Sequence, residues 1–222
     1  MLGFLADGAW QVGVVYEPER EAMFTGVEGR GARLNDRSIV VDQFADGAEA
    51  FQRAAVGVDW PGDMSARKEM LTIVGTLVPV VLSVRVIGSP ALGLCYVAAG
   101  RLHGYSALDL RPWDVAPAAV ILQCAGGTVT NFSGSSWYHS PDGGYVASNS
   151  IIHGRLLQSA GAVLAPRRLA AHRATQNRIA CCTVRGGPQG SPDPDQFRLR
   201  TTQTDHASRM VRSISPCARS IL

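Results

Sequence analysis

Apolar and β-branched residues alternate with polar ones over the first forty positions, a pattern typical of β-strands. Strands are predicted at residues 11–16, 21–27 and 38–41. Asn35 and Asp36 are turn residues, and Gly26, Gly29 and Gly31 mark places where the backbone bends or approaches another segment closely. We therefore expect an antiparallel meander at the start of the chain.

The pattern then changes to alternating strands and helices. Residues 54–59 form an apolar run that predicts a short strand. Residues 64–77 have helical spacing, and Met64, Leu71 and Val74 are expected on its apolar face. This segment is therefore predicted to be an amphipathic helix that packs through those three side chains.

The next strand and helix have clear boundary signals. Residues 80–87 are strongly β-branched and predict a strand. Ser89 is a good N-cap, and Pro90 suits the first helical position, where its missing N–H costs nothing. Gly100 is a suitable residue to end the helix.

The remaining periodic segments continue the alternation as far as position 164. They predict helices at residues 112–125 and 150–164, and strands at 102–105, 128–131 and 145–147. Strands that alternate with helices indicate a layered α/β sandwich, joined here to the antiparallel meander. The predicted fold class is therefore α/β.

Charge separates the chain into two predicted parts. Residues 1–165 hold ten Arg and one Lys against fifteen Asp and Glu, a net charge of −4, whereas residues 166–222 hold ten Arg against three Asp, a net charge of +7. The second part lacks periodicity and is rich in Gly, Pro, Ser and Thr, which predicts a disordered tail. A product of a wrong reading frame is one hypothesis for the tail. Nucleic-acid or membrane-surface binding is the functional alternative, which its single aromatic residue, Phe197, disfavours.

No apolar run reaches the roughly 18–20 residues that a membrane-spanning helix needs. The longest candidate, residues 76–87, contains Pro79 and Arg85. The first residues also lack the basic and apolar regions of a signal peptide. We therefore expect a cytoplasmic protein that does not bind membranes.

Four motifs, in order across about 150 residues, resemble the inositol monophosphatase family. The first is a valine-rich hairpin with a Tyr-Glu-Pro turn and a glycine-studded return ending in Asn35. The others are RVIGSPAL with its following helix, RPWDVA with a later Ala-Gly-Gly, and the closing VASN at residues 85–92, 111–116 and 146–149. The resemblance is to the C-terminal half of the family's domain, within residues 1–165.

The resemblance implies a Mg²⁺-dependent hydrolase of phosphate monoesters that is commonly a homodimer. Asp114 matches a metal-binding aspartate of the family, and a carboxylate is a suitable Mg²⁺ ligand. From the residues alone, an acid at a helix start that complements the helix dipole is the alternative. Gly88 and Ser89 match a turn that contacts substrate, and plain helix capping is the alternative there. The substrate implied is an inositol phosphate or a similar small sugar phosphate.

Several positions depart from the family pattern, among them Pro90, Pro117 and Cys124. Ala107 stands where the family often has a substrate-contacting glutamate, and Asp109 is the nearby carboxylate that would substitute for it. His103 occupies a position that is often acidic in the family. As an isolated histidine, it is predicted to be a surface residue rather than a catalytic one.

The family's main metal motif, Asp-Pro-(Ile/Leu)-Asp-Gly-Thr, precedes the hairpin and is not found in these 222 residues. The resemblance therefore predicts an N-terminally truncated domain with negligible phosphatase activity by itself, since Mg²⁺ requires several well-placed oxygen ligands. A non-catalytic remnant or a partner subunit of a phosphatase dimer is the first alternative. Nucleic-acid binding through the tail is the second.

Overall fold

The computed structural model describes residues 1–43, 48–139 and 143–164, so the predictions for the tail after residue 165 lie outside the described residues. The first sheet is an antiparallel meander in the order β1-β2-β3-β4-β5, as the sequence predicts. Its strands are β1 Leu2–Ala6, β2 Ala9–Glu17, β3 Ala22–Val27, β4 Gly31–Leu34 and β5 Arg37–Ile39. Strand β1 was not predicted. It joins β2 through Asp7 and Gly8, whose positive φ angles of 50° and 77° suit a tight hairpin turn.

The second sheet contains both parallel and antiparallel strands, in the order β7-β6-β8-β10-β9. Its strands are β6 Ala55–Val58, β7 Ser83–Val86, β8 Gly104–Ala107, β9 Thr128–Thr130 and β10 Tyr145–Ser148. Strand β6 pairs in parallel with both β7 and β8, whereas β10 is antiparallel to β8 and β9. Parallel neighbours need crossover connections, and helices provide them here.

Helices separate and cover the two sheets. They are α1 Ala48–Gln52, α2 Met64–Leu77, α3 Pro90–Ala98, α4 Pro112–Cys124 and α5 His153–Leu164. Helices α3 and α4 share one hydrophobic core with residues from both sheets. Helices α2 and α5 form a second core with strand residues of the second sheet. The predicted layered α/β fold is therefore confirmed.

The predicted apolar face of α2 is wrong at Met64 and Leu71, whereas Val74 is partly buried and packs against the second core. Met64 and Leu71 are 63% and 57% exposed, whereas Met70, Ile73 and Leu77 are buried. Both faces of this helix carry apolar side chains, so helical spacing alone does not select between them. The buried set follows i, i+3 and i+7 spacing and belongs to the core that α2 shares with α5.

Strand β7 is shorter than the predicted strand at residues 80–87. The backbone N–H groups of Val80 and Val81 donate to the carbonyl oxygen of Leu77, so the chain is still turning after α2. Strand β7 also lies at the edge of its sheet. Only residues that reach β6 can pair, and β-branched composition does not report where that contact begins.

His153 makes the stability of this fold sensitive to pH. Its ring nitrogens lie 2.9 Å from the hydroxyls of Ser148 and Thr130, and burial lowers its pKa below the ordinary value of 6.5. The unfolded chain therefore binds a proton that the folded chain does not. The contribution of the neutral His153 to the free energy of unfolding is fully present above about pH 6.5. It is lost as the pH drops below that value, by at most about 1.4 kcal/mol per pH unit.

Urea unfolding between pH 7.5 and 5.5 measures this effect, with His153→Gln as the comparison. We expect a smaller loss of unfolding free energy on acidification in the variant, because the glutamine does not titrate. Equal losses in the two proteins would show that other groups cause the pH dependence.

Candidate functional site

The predicted site residues follow the carboxyl ends of neighbouring strands in the second sheet. The parallel strands β7, β6 and β8 are neighbours, and their carboxyl ends lead directly to Gly88, Asp59 and Asp109. Helices α3 and α4 begin just beyond β7 and β8. Ligands of open α/β sheets bind outside the carboxyl ends of strands, so this edge is the candidate site.

The turn at Gly88 and Ser89 begins helix α3. Gly88 has a φ of +79°, which favours glycine. Ser89 is the N-cap, and its hydroxyl accepts a hydrogen bond from the N–H of Leu92 at 3.4 Å. Pro90 has no N–H to offer. Within the described residues, the N–H groups of Ser89 and Ala91 have no acceptor and therefore remain available to a ligand.

Asp59 lies behind this turn and was not predicted as a site residue. Asp59 is buried, with only 8% of its surface exposed. One carboxylate oxygen accepts hydrogen bonds from the N–H groups of Ile87, at 3.1 Å, and Gly88, and the other accepts one from the Tyr105 hydroxyl. Burial, and then this hydrogen bond, raise the pKa of Tyr105, which keeps the hydroxyl protonated. The available sequence signal was an acid directly after a buried parallel strand.

Asp114 occupies the third position of α4, and its carboxylate is already partly engaged. One of its oxygens accepts a hydrogen bond from the backbone N–H of Arg111 at 3.0 Å, as in a capping box. The carboxylate therefore lies at the helix start, where the alternative of an acid that complements the helix dipole also places it, and this hydrogen bond fixes its position. In the part of the chain that the structure describes, no group of three His, Cys, Asp or Glu side chains could hold a metal ion.

Asp109 lies in the connection between β8 and α4. It is exposed and has a φ of +59°, a left-handed conformation that aspartate adopts more readily than most residues. The N–H of the next residue, Leu110, donates to the carbonyl oxygen of Gly143 at 2.9 Å. Ala107, at the family's glutamate position, is buried at the end of β8.

An open groove of about 690 Å³ connects the Ser89 turn with the first sheet. Arg20 and the buried Glu17 line it, together with Ser89 and Ala91. Glu17 pairs with Arg20 and accepts hydrogen bonds from the Tyr96 hydroxyl at 3.1 and 3.2 Å. This cluster attaches the β2–β3 turn to α3 and places a cationic side chain beside the groove.

The prediction that His103 is a surface residue is wrong. Its side chain is only 13% exposed, and its Nδ1 accepts a hydrogen bond from the N–H of Ala55 at 2.8 Å. Its Nε2 lies 3.1 Å from a carboxylate oxygen of Asp42. The ring therefore ties β6 to the segment after β5, which no local pattern indicates.

None of the helices in the described residues is long and apolar enough to span a bilayer.

Several known bacterial proteins are similar to this chain in sequence. The chain is 35% identical over 159 residues to a protein of Neisseria meningitidis named Putative Nus factor SuhB, covering 71% of this chain and 59% of that relative. It is 31% identical over 157 residues to the fructose-1,6-bisphosphatase/inositol-1-monophosphatase of Thermotoga maritima, covering 71% and 57%.

Solved structures share this fold. The extragenic suppressor protein suhB of Bartonella henselae is 28% identical with a TM-score of 0.63, covering 69% of this chain and 58% of that one. Mycobacterium tuberculosis SuhB is 27% identical with a TM-score of 0.62, covering 71% and 61%. The chain thus spans less than two thirds of the length of these proteins. A sequence model of the inositol monophosphatase family matches residues 1–165, and the chain therefore belongs to this family.

Proposed function

We propose that this chain forms part of the active site of a Mg²⁺-dependent phosphatase that hydrolyses an inositol phosphate or a similar small sugar phosphate. Asp114 is the metal ligand, and Gly88, Ser89 and Asp109 lie on the substrate side. The observation that supports this proposal is that α3 and α4 both begin beyond the carboxyl ends of strands in the parallel group β7-β6-β8. We place the protein in the cytoplasm, as a homodimer.

The described residues supply one suitable Mg²⁺ ligand, Asp114, and not a complete binding site. Mg²⁺ prefers hard oxygen ligands, and the Asp114 carboxylate retains acceptor capacity beyond the hydrogen bond from Arg111. The described residues contribute no group of three ligating side chains. When bound, the ion would supply charge stabilisation to the phosphoryl group. The further oxygen ligands would come from residues outside the described part of the chain or from another subunit.

The turn at Ser89 offers hydrogen-bond donors that suit a phosphate ester. The N–H groups of Ser89 and Ala91 are hydrogen-bond donors at the start of α3, where the helix dipole favours an anion. Ser89 and Ala91 also line the groove, together with Arg20. The turn is therefore suited to orient an anionic ester, while Asp114 holds the metal.

Phosphate release from inositol 1-phosphate tests this proposal in two proteins. The 222-residue chain is expected to release none, with or without Mg²⁺, because one carboxylate cannot hold the ion against water. The same chain, fused behind a family segment that carries the Asp-Pro-(Ile/Leu)-Asp-Gly-Thr motif, is expected to be active. Asp114→Asn should then lower Mg²⁺-dependent release about 100-fold, since a metal contributes several kcal/mol of charge stabilisation.

Asp36→Asn is the matched control for this measurement. Asp36 is an exposed aspartate in the turn between β4 and β5, in the other sheet, so its replacement should leave the rate unchanged. A fusion that is fully active with Asp114→Asn would contradict the metal role. Release by the unfused chain would show that a working site assembles without the added motif.

The second candidate is a non-catalytic partner subunit. The absence of a metal-ligating cluster in the described residues favours it, and so does the name Nus factor that several relatives at 35–36% identity carry. An inactive fusion that is folded and binds a second copy would support this candidate over the phosphatase. The nucleic-acid alternative concerns the tail and remains a prediction.

A further inference from the structure

We propose that Asp59 is a positioning residue that sets the shape of the Gly88–Ser89 turn and leaves the N–H groups of Ser89 and Ala91 as the turn's ligand-facing donors. Ser89 and Ala91 line the groove, whereas Asp59 is not among its lining residues. It acts through the backbone that it holds. The inference rests on the proposed function, since it names the residue that prepares the turn for a phosphate ester.

The hydrogen bonds of Asp59 account for both carboxylate oxygens. One oxygen binds two consecutive backbone N–H groups, of Ile87 and Gly88, and the other binds the Tyr105 hydroxyl. A buried carboxylate is costly unless such donors satisfy it, so its presence requires an arrangement that hydrogen-bonds both oxygens. The three hydrogen bonds of this side chain fix the end of β7 relative to β8.

This arrangement changes which donors the turn can offer. Asp59 occupies the N–H group of Gly88, so this donor is not available to a ligand. Pro90 removes another. The free donors are therefore those of Ser89 and Ala91, at the first turn of a nine-residue helix. A ligand anion then approaches α3 from the groove side, away from the buried negative charge of Asp59.

Tyr105 makes this positioning depend on the core. Its ring is fully buried and packs beside Gly93 of α3, where an added Cβ would lie 2.9 Å from ring atom Cζ. The same side chain thus touches α3 through its ring and Asp59 through its hydroxyl. The turn, the strand end and the helix are consequently held as one unit.

Amide hydrogen exchange of the ¹⁵N-labelled 222-residue chain tests the positioning. Asp59→Ala removes both acceptors, so exchange at Gly88 should rise about 10-fold or more, the effect of losing a charged hydrogen bond. Asp59→Asn keeps an acceptor oxygen for the two N–H groups and should stay within about 3-fold of the wild type. Amides of the β2–β3 hairpin, such as those of Val14 and Thr25, report global unfolding, so the positioning effect is the rise at Gly88 beyond any change at these amides.

Tyr105→Phe is the second variant, and it decides the question if Asp59→Ala does not fold. It keeps the buried ring and the carboxylate but removes one anchor, so exchange at Gly88 should rise by about 3-fold. Unchanged exchange at Gly88 in the folded variants would overturn the proposal. So would equal increases in Asp59→Asn and Asp59→Ala, because rescue by the amide is required.

Titration of the same proteins with inositol 1-phosphate in the absence of Mg²⁺ separates this inference from the proposed function, because the donors of the turn do not depend on the metal. The amides of Ser89 and Ala91 should shift in the wild type and in Asp59→Asn, and Asp59→Ala should need about 10-fold more ligand. Unchanged affinity in Asp59→Ala would overturn the positioning role in binding. If no amide of the wild type shifts but exchange at Gly88 follows the predicted order, the positioning stands and the proposed role of the turn in binding the phosphate ester fails.

Discussion

Replacement of Gly13 with alanine is expected to lower the free energy of unfolding by about 3 kcal/mol or more, the upper range for overpacked sites. Gly13 in β2 pairs in register with Gly26 in β3, and helix α4 lies directly on these two residues. A Cβ at Gly13 would fall on the carbonyl oxygen of Pro117 and 2.9 Å from its carbonyl carbon. Backbone atoms cannot rotate away as a side chain can, so the helix or the sheet must shift.

Gly75→Ala is the matched control, and urea unfolding of both variants is the measurement. Gly75 lies in α2, and nothing in the described structure is within 4 Å of an added Cβ. Alanine there should stabilise the protein by up to about 1 kcal/mol through its better helix propensity. A Gly13→Ala variant as stable as the wild type would mean that α4 does not contact the first sheet this closely.

Truncation of Met70 to alanine is expected to cost about 2–5 kcal/mol, whereas truncation of its neighbour Leu71 should change stability by no more than about 0.5 kcal/mol. Met70 has no exposed surface and belongs to the core between α2 and α5. Leu71 is 57% exposed. The two residues are adjacent in one helix, so helix propensity and position are nearly matched and burial is the main difference between them.

Chemical denaturation of the two single variants measures this contrast. Helical spacing predicts Leu71 on the packed face, so a larger loss at Leu71 than at Met70 would restore that prediction. Comparable losses would mean that both faces of α2 are covered, for example by a partner subunit on the exposed face.

Much of the fold follows from local rules that the sequence alone determines. Ser89 and Pro90 specify the start of α3, because a hydroxyl cap and a fixed φ act on adjacent backbone groups. Gly100 has a positive φ just after α3, as its predicted place at the helix end requires. The motif around Asp114 likewise identified the family and predicted a helix at that point. Each of these signals depends on residues a few positions apart.

Tertiary structure alone decided which apolar face of α2 is buried, where β7 begins and what surrounds His103. It also revealed Asp59, whose partners at Gly88 and Tyr105 are 29 and 46 positions away. Such contacts depend on which strands become neighbours, and the parallel order β7-β6-β8 arises from packing between distant segments. Local periodicity reports that a residue lies on a strand or helix, but the partner that satisfies a buried carboxylate is fixed only when the sheet is assembled.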